Sequence, residues 1–521
     1  MKLLFSSLFV LFFAGQIIGQ TINFPDAMTS VKFPKGTSQG VVGEFDSGYV
    51  SYYTKKSSLV FFTQSESGKL SKGVEIKLTE GKEKLEFLEV VKLNNNELVI
   101  FSAAYDKQNQ MESLFFRRID ASTFKPSNIE LLTELEIVGK NKEGLRSFLW
   151  PSMKSRGFSV IKNENGEFGG IYHLSGAKNG SFVGYAIGID DNLNATFETQ
   201  VQVPFPNGSG IIDHAIVDAK KNMYLLTSSY EADGTSVKKV LVKVDSKGNE
   251  QYQLEISNAK DQLLNAVIQL NKDESILYLA GFGTEKDHKG ATSSVFKAID
   301  PIGGKIINEQ VVPFSEEKLD AYLQYRRSGG NLDELKAKPM DEKQGYIYLS
   351  ARKLHIMDNG TMVLEGAEQW TEEITTATAN GSSTSVNYFD GLVLLVRFNS
   401  SLEEVNANVI QRTAMSRGRR KTDISYSSFA LGNDIYLFYN SNNGNTNASP
   451  SNSNSWYIFG EYNVLLIAKI GEDASIEFKP MFEGAERVKA LVPSSLVRTD
   501  DQQLIFPLIE KKSFGTAVID L

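Results

Sequence analysis

The 521-residue sequence contains no cysteine and only four histidines. The lack of cysteine excludes disulfides, thiol catalysis, thiolate metal sites and a lipid attached to a cysteine. A hydrophobic core alone must therefore hold the fold together. The histidines are spread along the chain, and no two of them have the spacing of metal ligands on a helix. We predict no metal site and no cofactor.

Long apolar runs are also missing beyond residue 20, and neither sign of charge dominates. No later segment is apolar for long enough to cross a bilayer. The net charge of −8 argues against a general nucleic-acid-binding protein. There is no glycine-rich phosphate loop and no Gly-x-Ser-x-Gly nucleophile elbow. The sequence therefore identifies neither a catalytic residue nor a substrate.

The first 20 residues, MKLLFSSLFVLFFAGQIIGQ, have a positive start at Lys2, an apolar run and small residues near the end. This pattern predicts a secretory signal peptide at 1–20. A retained membrane anchor is the alternative, but the apolar run is short for a span. The Gly19-Gln20 ending, together with the missing cysteines, resembles exported proteins of the Bacteroidota. We expect an exported chain in the periplasm, at the outer membrane or outside the cell.

A unit of about 55 residues recurs along the rest of the chain. Each copy has a polar turn and an apolar strand, such as NELVIFSAAYD from Asn96 or KNMYLLTSSYE from Lys221. A second strand follows and ends in a turn of Asp, Asn, Ser or Gly, residues suited to tight reversals. These turns are centred near Ser65, Asp120, Asp190, Asp245, Asp300, Asn399, Glu472 and Asp520.

Further apolar stretches before and after each copy bring the unit to four strands. Four antiparallel strands repeated in series resemble a β-propeller. The sequence therefore predicts an all-β fold, a single propeller over 21–521 with eight four-stranded blades. Seven blades are the alternative, because the interval from Asp300 to Asn399 is ambiguous. The last unit lacks its fourth strand, and MTSVKFP at 28–34 is expected to supply it and close the ring.

Five long insertions interrupt the repeat, at 138–158, 314–345, 368–391, 411–423 and 441–463. Resemblance to propellers implies that all of them lie on one face, where ligands usually bind. The three tryptophans of the chain and eight of its fourteen arginines fall in these insertions. Tryptophan and arginine are the residue types that dominate binding hot spots. The candidate ligand-binding residues are Trp150, Arg326, Arg327, Trp370, Tyr388, Arg417, Arg419, Arg420, Trp456 and Tyr457.

Each of these residues also has a structural interpretation. Aromatic side chains in long loops often pack together and hold the loop down. Alternatively, Trp370 and Trp456 form an aromatic ledge that stacks on sugar rings or grips apolar side chains. The basic run SRGRRKTD at 416–423 is either a solvated loop or a patch that steers an anionic partner.

The resulting prediction is an exported, non-enzymatic binding or scaffold protein that recognises a protein or glycan through the insertion-bearing face. Nucleic acid is not expected as a partner, and no lipid anchor is expected. The rival is an extracellular polysaccharide hydrolase or lyase with its site at the axial opening. A cluster of carboxylates there would favour the rival.

Overall fold

The structure is a computed structural model, and it describes residues 22–23, 29–30, 39–55, 57–65, 69–80, 83–138, 157–163, 167–178, 180–205, 210–230, 236–257, 262–284, 290–315, 349–378, 381–410, 412, 414–417, 426–442, 457–458, 463–480, 490–491, 496–499, 503–510 and 513–520. The predicted signal peptide at 1–20 lies outside these residues. Within them, no helix has the length and hydrophobicity needed to span a lipid bilayer.

The described elements are strands. They form eight blade sheets that follow one another along the chain, and one separate two-stranded sheet. Two short strands come first, β1 (Ile22–Asn23) and β2 (Thr29–Ser30). Blade one contains β3 (Gln39–Phe45), β4 (Gly48–Lys55), β5 (Ser58–Gln64) and β6 (Val74–Lys77), and a small hairpin of β7 (Thr79–Glu80) and β8 (Glu83–Lys84) follows it. Blade two contains β9 (Glu86–Lys92), β10 (Glu97–Asp106), β11 (Met111–Asp120) and β12 (Glu130–Glu136). Blade three contains β13 (Gly157–Lys162), β14 (Phe168–Lys178), β15 (Ser181–Ile189) and β16 (Ala195–Pro204). Blade four contains β17 (Gly210–Val217), β18 (Met223–Tyr230), β19 (Ser236–Val244) and β20 (Glu250–Ser257).

The second half of the ring repeats this arrangement with longer connections. Blade five contains β21 (Gln262–Leu270), β22 (Leu277–Thr284), β23 (Ser293–Asp300) and β24 (Lys305–Pro313). Blade six contains β25 (Leu349–Ile356), β26 (Met362–Thr378), β27 (Gly381–Phe398) and β28 (Glu404–Ile410), and β29 (Ala414–Arg417) follows it. Blade seven contains β30 (Tyr426–Leu431), β31 (Asp434–Asn442), β33 (Asn463–Ile470) and β34 (Ile476–Pro480), with β32 (Tyr457–Ile458) between its second and third strands. Blade eight contains β35 (Ala490–Leu491), β36 (Val497–Arg498), β37 (Gln503–Glu510) and β38 (Ser513–Asp520).

Each blade is an antiparallel meander whose strands we call a to d, from the axis outward. The a strands of successive blades pack against one another, as β17, β21 and β25 do. The d strands are the most exposed, and along β16 exposed residues alternate with more buried ones. The eight-bladed propeller predicted from the repeat is confirmed, and the seven-bladed alternative is excluded.

Hydrophobic clusters fill the gaps between neighbouring blades. Between blades five and six, for example, the rings of Phe296 and Phe398 lie 3.8 Å apart, centroid to centroid. A last cluster, which includes Val41, Ile505 and Val518, joins blade eight to blade one. Burial is therefore continuous around the ring, as a closed propeller requires.

The N-terminal segment completes the last blade, as predicted. Strand β38 pairs with β37 on one side and with β1 and β2 on the other, in the registers Ile22–Ile519 and Thr29–Phe514. The closing segment begins earlier than the predicted 28–34, because Ile22–Asn23 also pairs with β38. Polar contacts reinforce the junction. The Tyr49 hydroxyl of blade one donates to Gln503 Oε1 of blade eight over 2.6 Å.

The predicted polar turns connect strands c and d. The Oδ1 atom of Asp190 accepts hydrogen bonds from the backbone amides of Asn192 and Asn194, over 2.9 and 2.8 Å. Asp245 accepts from Lys247 and Asn249 in the same way. Aspartate recurs there because its short side chain satisfies the amides of its own turn.

Strand direction alternates within each blade, so the connections divide between two faces of the ring. The a–b and c–d turns lie on one face, which we call the turn face. The b–c and d–a connections lie on the other, the insertion face. In chain order, the five predicted insertions fall at b–c or d–a connections. Most of 138–158, 314–345, 411–423 and 441–463 lies outside the described residues, so the placement of these four on the insertion face stays a prediction. One expectation was wrong: segment 368–391 is not a loop, because it forms the paired arms of β26 and β27.

Candidate functional site

Above blade six, strands β26 and β27 continue as a β-hairpin that rises from the insertion face. Strand β25 pairs with β26 only as far as Glu368, whereas β26 and β27 stay paired up to Thr378 and Gly381. Strand β29 pairs antiparallel with the outer edge of β27, and β32 pairs parallel with β29. We call 369–378, 381–390, β29 and β32 the insertion sheet. It joins the insertions of blades six and seven in one ordered element.

The composition of the hairpin explains both its pairing and why it resembles a loop in sequence. Segment 374–386, ITTATANGSSTSV, is rich in small polar residues, as loops are. Its threonines, isoleucine and valine also favour strands, and it contains no proline. Pairing over the full length of both arms settles the ambiguity in favour of a hairpin.

The base of the insertion sheet is apolar on one row and ionic on the next. Trp370 and Phe389 are opposite each other in register and stack with ring centroids 5.0 Å apart. In the neighbouring row, Asp390 accepts hydrogen bonds from Gln369 Nε2 over 3.0 Å and from Arg412 Nη1 over 2.8 Å. The side chains of Asp390 and Arg412 are almost completely buried. A buried, directly bonded ion pair therefore anchors the hairpin to the chain that leaves blade six.

Arg412 also connects the hairpin to blade seven. Its guanidinium lies 5.1 Å from the ring centroid of Tyr426 and 5.5 Å from that of Tyr439. Cation–π contacts of this kind gain strength when water is excluded. Burial raises the pKa of Tyr439 to about 12, so this hydroxyl stays neutral at physiological pH.

The polar network continues to the inner strand of blade six. The Tyr426 hydroxyl donates to Glu365 Oε1 over 2.7 Å, and Glu365 Oε2 lies 2.9 Å from His355 Nε2. The Ser428 hydroxyl is 3.3 Å from the same ring nitrogen. Burial opposes ionisation of Glu365, but hydrogen bonds from His355, Ser428 and Tyr426 outweigh it and hold its pKa below the usual value.

This lowered pKa predicts a pH-dependent contribution to stability. Because the folded-state pKa of Glu365 is depressed, its contribution is present above about pH 4.3 and is lost as the pH falls through the folded value. Glu365→Gln is expected to cost about 1–3 kcal/mol at neutral pH. The measurement is the melting temperature of the parent and of Glu365→Gln across this pH range. The two should differ most near pH 7 and converge in acid, and a constant offset would contradict the prediction.

Two further buried ionisable clusters lie in blades two to four. His173 Nε2 of blade three lies 3.0 Å from Glu112 Oε2 of blade two. In blade four, the Lys239 ammonium donates to Asp213 Oδ2 and to Ser228 Oγ, each over 2.6 Å. The Ser228 hydroxyl also contacts Asp213 Oδ2. The Lys239 side chain has no exposed surface, and that of Asp213 is 1% exposed.

The geometry of these clusters suits structural links better than catalysis. In a Ser-His-acid triad, the serine and the acid bind different ring nitrogens, whereas Ser428 and Glu365 both approach Nε2 of His355. A lysine that activates serine must be neutral, but Asp213 favours the charged ammonium of Lys239. Within the described ranges, no three His, Asp or Glu residues come together in a way that could hold a metal ion.

The predicted binding residues separate into three groups. Trp370 is buried at 8% exposure and stacks on Phe389, which matches the packing interpretation and not an exposed ledge. Tyr388, Arg417 and Tyr457 have described backbones, and all three lie in the strands of the insertion sheet. The others, Trp150, Arg326, Arg327, Arg419, Arg420 and Trp456, lie outside the described residues.

Sequence reasoning missed the residues that anchor the insertion sheet, above all Asp390, Arg412, Glu365 and His355. Their partners are far apart in the chain. Arg412 and Asp390 are separated by 22 positions, and Tyr426 and Glu365 by 61. The available signal was the presence of charged residues within apolar strands, since buried charges are normally paired.

Comparison with known proteins finds only distant similarity. No protein-family model and no curated protein matches the sequence. The WD40 domain of SCAP from fission yeast is 10% identical, with 96% of this chain and 98% of that chain covered and a TM-score of 0.37. Prolyl oligopeptidase B from Galerina marginata is 9% identical, with 91% and 55% covered and a TM-score of 0.40, so this chain spans about half of that enzyme. A duf4221 family member from Bacteroides vulgatus is 9% identical, with 79% and 92% covered and a TM-score of 0.25. Similarities this low carry no argument about function, and the propeller assignment rests on the strand pairing.

Proposed function

We propose that this chain is an exported, non-enzymatic recognition or scaffold protein that binds a protein or glycan partner through its insertion face. The observation that carries the proposal is the insertion sheet. Two neighbouring blades extend beyond the ring there and join strands, although the propeller core needs neither extension. Elements added to a rigid scaffold are where binding residues concentrate.

The anchoring of the sheet supports recognition by a preorganised surface. Asp390 and Arg412 form a buried ion pair at its base, and Arg412 lies against two tyrosine rings of blade seven. Residues held by such contacts lose less conformational freedom when a partner binds. The position of Arg417 in this sheet favours an anionic surface on the partner.

The buried clusters favour binding over catalysis. Glu112–His173, Asp213–Ser228–Lys239 and His355–Glu365 each bond internally. The first joins two neighbouring blades and the other two join strands of one blade, so all three suit a structural role. The signal peptide predicted at 1–20 supports export, to the periplasm, the outer membrane or the medium.

The test is to remove the hairpin while leaving its base intact. Replacing 371–388 by Asn-Gly leaves Trp370 and Phe389 on either side of a two-residue turn, which suits a short hairpin. The contacts of Asp390 with Gln369 and Arg412 remain. The mature parent and the shortened variant are compared by cross-linked capture from envelope extract and by binding to a polysaccharide array.

A protein or glycan bound by the parent should bind the shortened variant about tenfold more weakly or not at all. The control is Lys272→Ser, a change of an exposed lysine at an a–b turn on the opposite face. Equal binding by the parent and the shortened variant would refute the insertion sheet as the site. Depolymerisation of any array polysaccharide by the parent would refute the non-enzymatic assignment.

A further inference from the structure

Five of the innermost strands contain a β-bulge. The register with strand b skips one residue in strand a of blades one, two, four, five and six. The skipped residues are Val42, Leu88, Asp213, Leu264 and Arg352. A bulge re-aims the side chains next to it. The residue that follows the bulge is a glycine in blade one and has a polar side chain in the other four blades.

These four polar side chains each contact strand a of the next blade. We call them the bridging residues, and they are Glu89, His214, Asn265 and Lys353. In blade two, Glu89 Oε1 lies 3.2 Å from Lys162 Nζ on β13. In blade six, Lys353 Nζ donates to the carbonyl oxygen of Ser428 on β30 over 3.5 Å.

The joints on the two sides of blade five are bridged by different chemistry. Asn265 Nδ2 donates to the carbonyl oxygen of Leu349 over 3.1 Å, and its Oδ1 accepts from the backbone amide of Ala351 over 2.5 Å. His214 Nδ1 accepts from the backbone amide of Ile268 over 3.4 Å. The side-chain amide of asparagine does not titrate, whereas an imidazole does. The two joints therefore respond differently to pH.

We propose that the joint between blades four and five opens locally at its axial side when His214 takes up a proton, before the ring as a whole unfolds. Protonation turns Nδ1 from an acceptor into a donor, which then faces the N–H group of Ile268. Two donors cannot share a hydrogen bond, so the bridge is lost. On the turn face, the Lys243 ammonium still donates to the carbonyl oxygen of Pro301 over 2.8 Å, which keeps the two blades joined there.

The surroundings of His214 favour the neutral ring while the joint is closed. The side chain is largely buried. Burial lowers the pKa of the imidazole to about 4, because it disfavours the charged form. The carboxylate of the neighbouring Asp213 opposes this shift, but its effect is the smaller of the two. Asp213 is also paired with Lys239.

The described side chains on the strands that pack against β17 are paired or neutral. Strand β21 has no titratable residue. On β13 and β14, Lys162 pairs with Glu89, and His173 pairs with Glu112. Burial raises the pKa of the tyrosines on β14, β15 and β18, which are Tyr172, Tyr185 and Tyr224. The proton uptake that opens the joint therefore belongs to His214.

The pH dependence follows from the difference between the closed and the open joint. In the open joint the imidazole returns to its ordinary pKa of about 6.5. Between about pH 6.5 and pH 4 the open state binds more protons than the closed state, so acid favours opening. From pH 7 to pH 5, the equilibrium constant for opening should rise about twentyfold.

The experiment is hydrogen exchange of the full mature chain at pH 7 and pH 5, read by mass spectrometry and corrected for intrinsic exchange rates. Peptides from β21 report on the joint bridged by His214, and peptides from β25 report on the joint bridged by Asn265. Protection of β21 should fall about twentyfold between pH 7 and pH 5, whereas protection of β25 should stay nearly constant. Equal losses in the two strands, or no loss in β21, would overturn the proposal.

Two variants exchange the bridging residues of neighbouring blades. His214→Asn installs the residue that blade five carries at this position, so protection of β21 should no longer depend on pH. Asn265→His makes the reciprocal change and should transfer the pH dependence to β25. Loss of β21 protection in acid by His214→Asn, as in the parent, would show that His214 is not the sensing group. If His214→Asn does not fold, the reciprocal variant decides, and β25 protection that is independent of pH would contradict the proposal.

Discussion

Replacing Lys239 by methionine is expected to lower the free energy of unfolding by about 3–5 kcal/mol. The Lys239 ammonium and the Asp213 carboxylate are 2.6 Å apart, and both side chains are buried. Without the ammonium, the carboxylate stays in a low-dielectric environment and loses its charged partner, and a charge in that position is very unfavourable. The measurements are the melting temperature and the midpoint of urea unfolding.

The double variant Lys239→Met with Asp213→Asn separates this explanation from loss of packing. It removes both charges while preserving side-chain volume, so it should be markedly more stable than the single variant. If the two variants have the same melting temperature, the loss of stability arises from packing around the Lys239 stem and not from an uncompensated carboxylate.

Deleting Ile22–Ser30 is expected to open the ring. Strand β38 would lose its four register pairs with β1 and β2, which corresponds to on the order of 2–6 kcal/mol if each pair contributes about one net hydrogen bond. The outer edge of blade eight would then be available to other chains, so we expect aggregation as well as a lower melting temperature.

A peptide with the sequence of 21–34 provides the complementary test. Added in trans, it should restore the melting temperature of the deletion variant and suppress its aggregation, whereas the same peptide with Thr29→Pro should not. A deletion variant that melts like the parent and stays monodisperse would mean that β1 and β2 contribute little to closure.

The repeat was predictable from sequence because its signals are local. Apolar strands ended by Asp190, Asp245 or Asp300 recur at a steady interval, and each aspartate satisfies the amides of its own turn. It was also predictable that another segment supplies the missing fourth strand of the last unit, since an open propeller would leave an exposed edge.

The insertion sheet was not predictable in the same way. Segment 368–391 has the composition of a loop, and its strand state depends on the pairing of its two arms with each other. At 387–390 it also pairs with β29, which in turn pairs with β32 from the next blade. The environment of Trp370 depends on Phe389, its opposite residue in the register of the hairpin. Neither partner can be assigned before the register is known, and a shift of one residue would reverse which face each side chain occupies.

The sequence by itself determined the fold class and a count of eight blades, with seven as the alternative. It also determined the division between short turns and long insertions. These properties follow from strand periodicity and turn chemistry, which act over a few residues. The tertiary structure decided which residues are buried and which are exposed. It buried Trp370 and paired Asp390 with Arg412. Such decisions depend on groups that are distant in the chain, and only the closed ring brings those groups within contact distance.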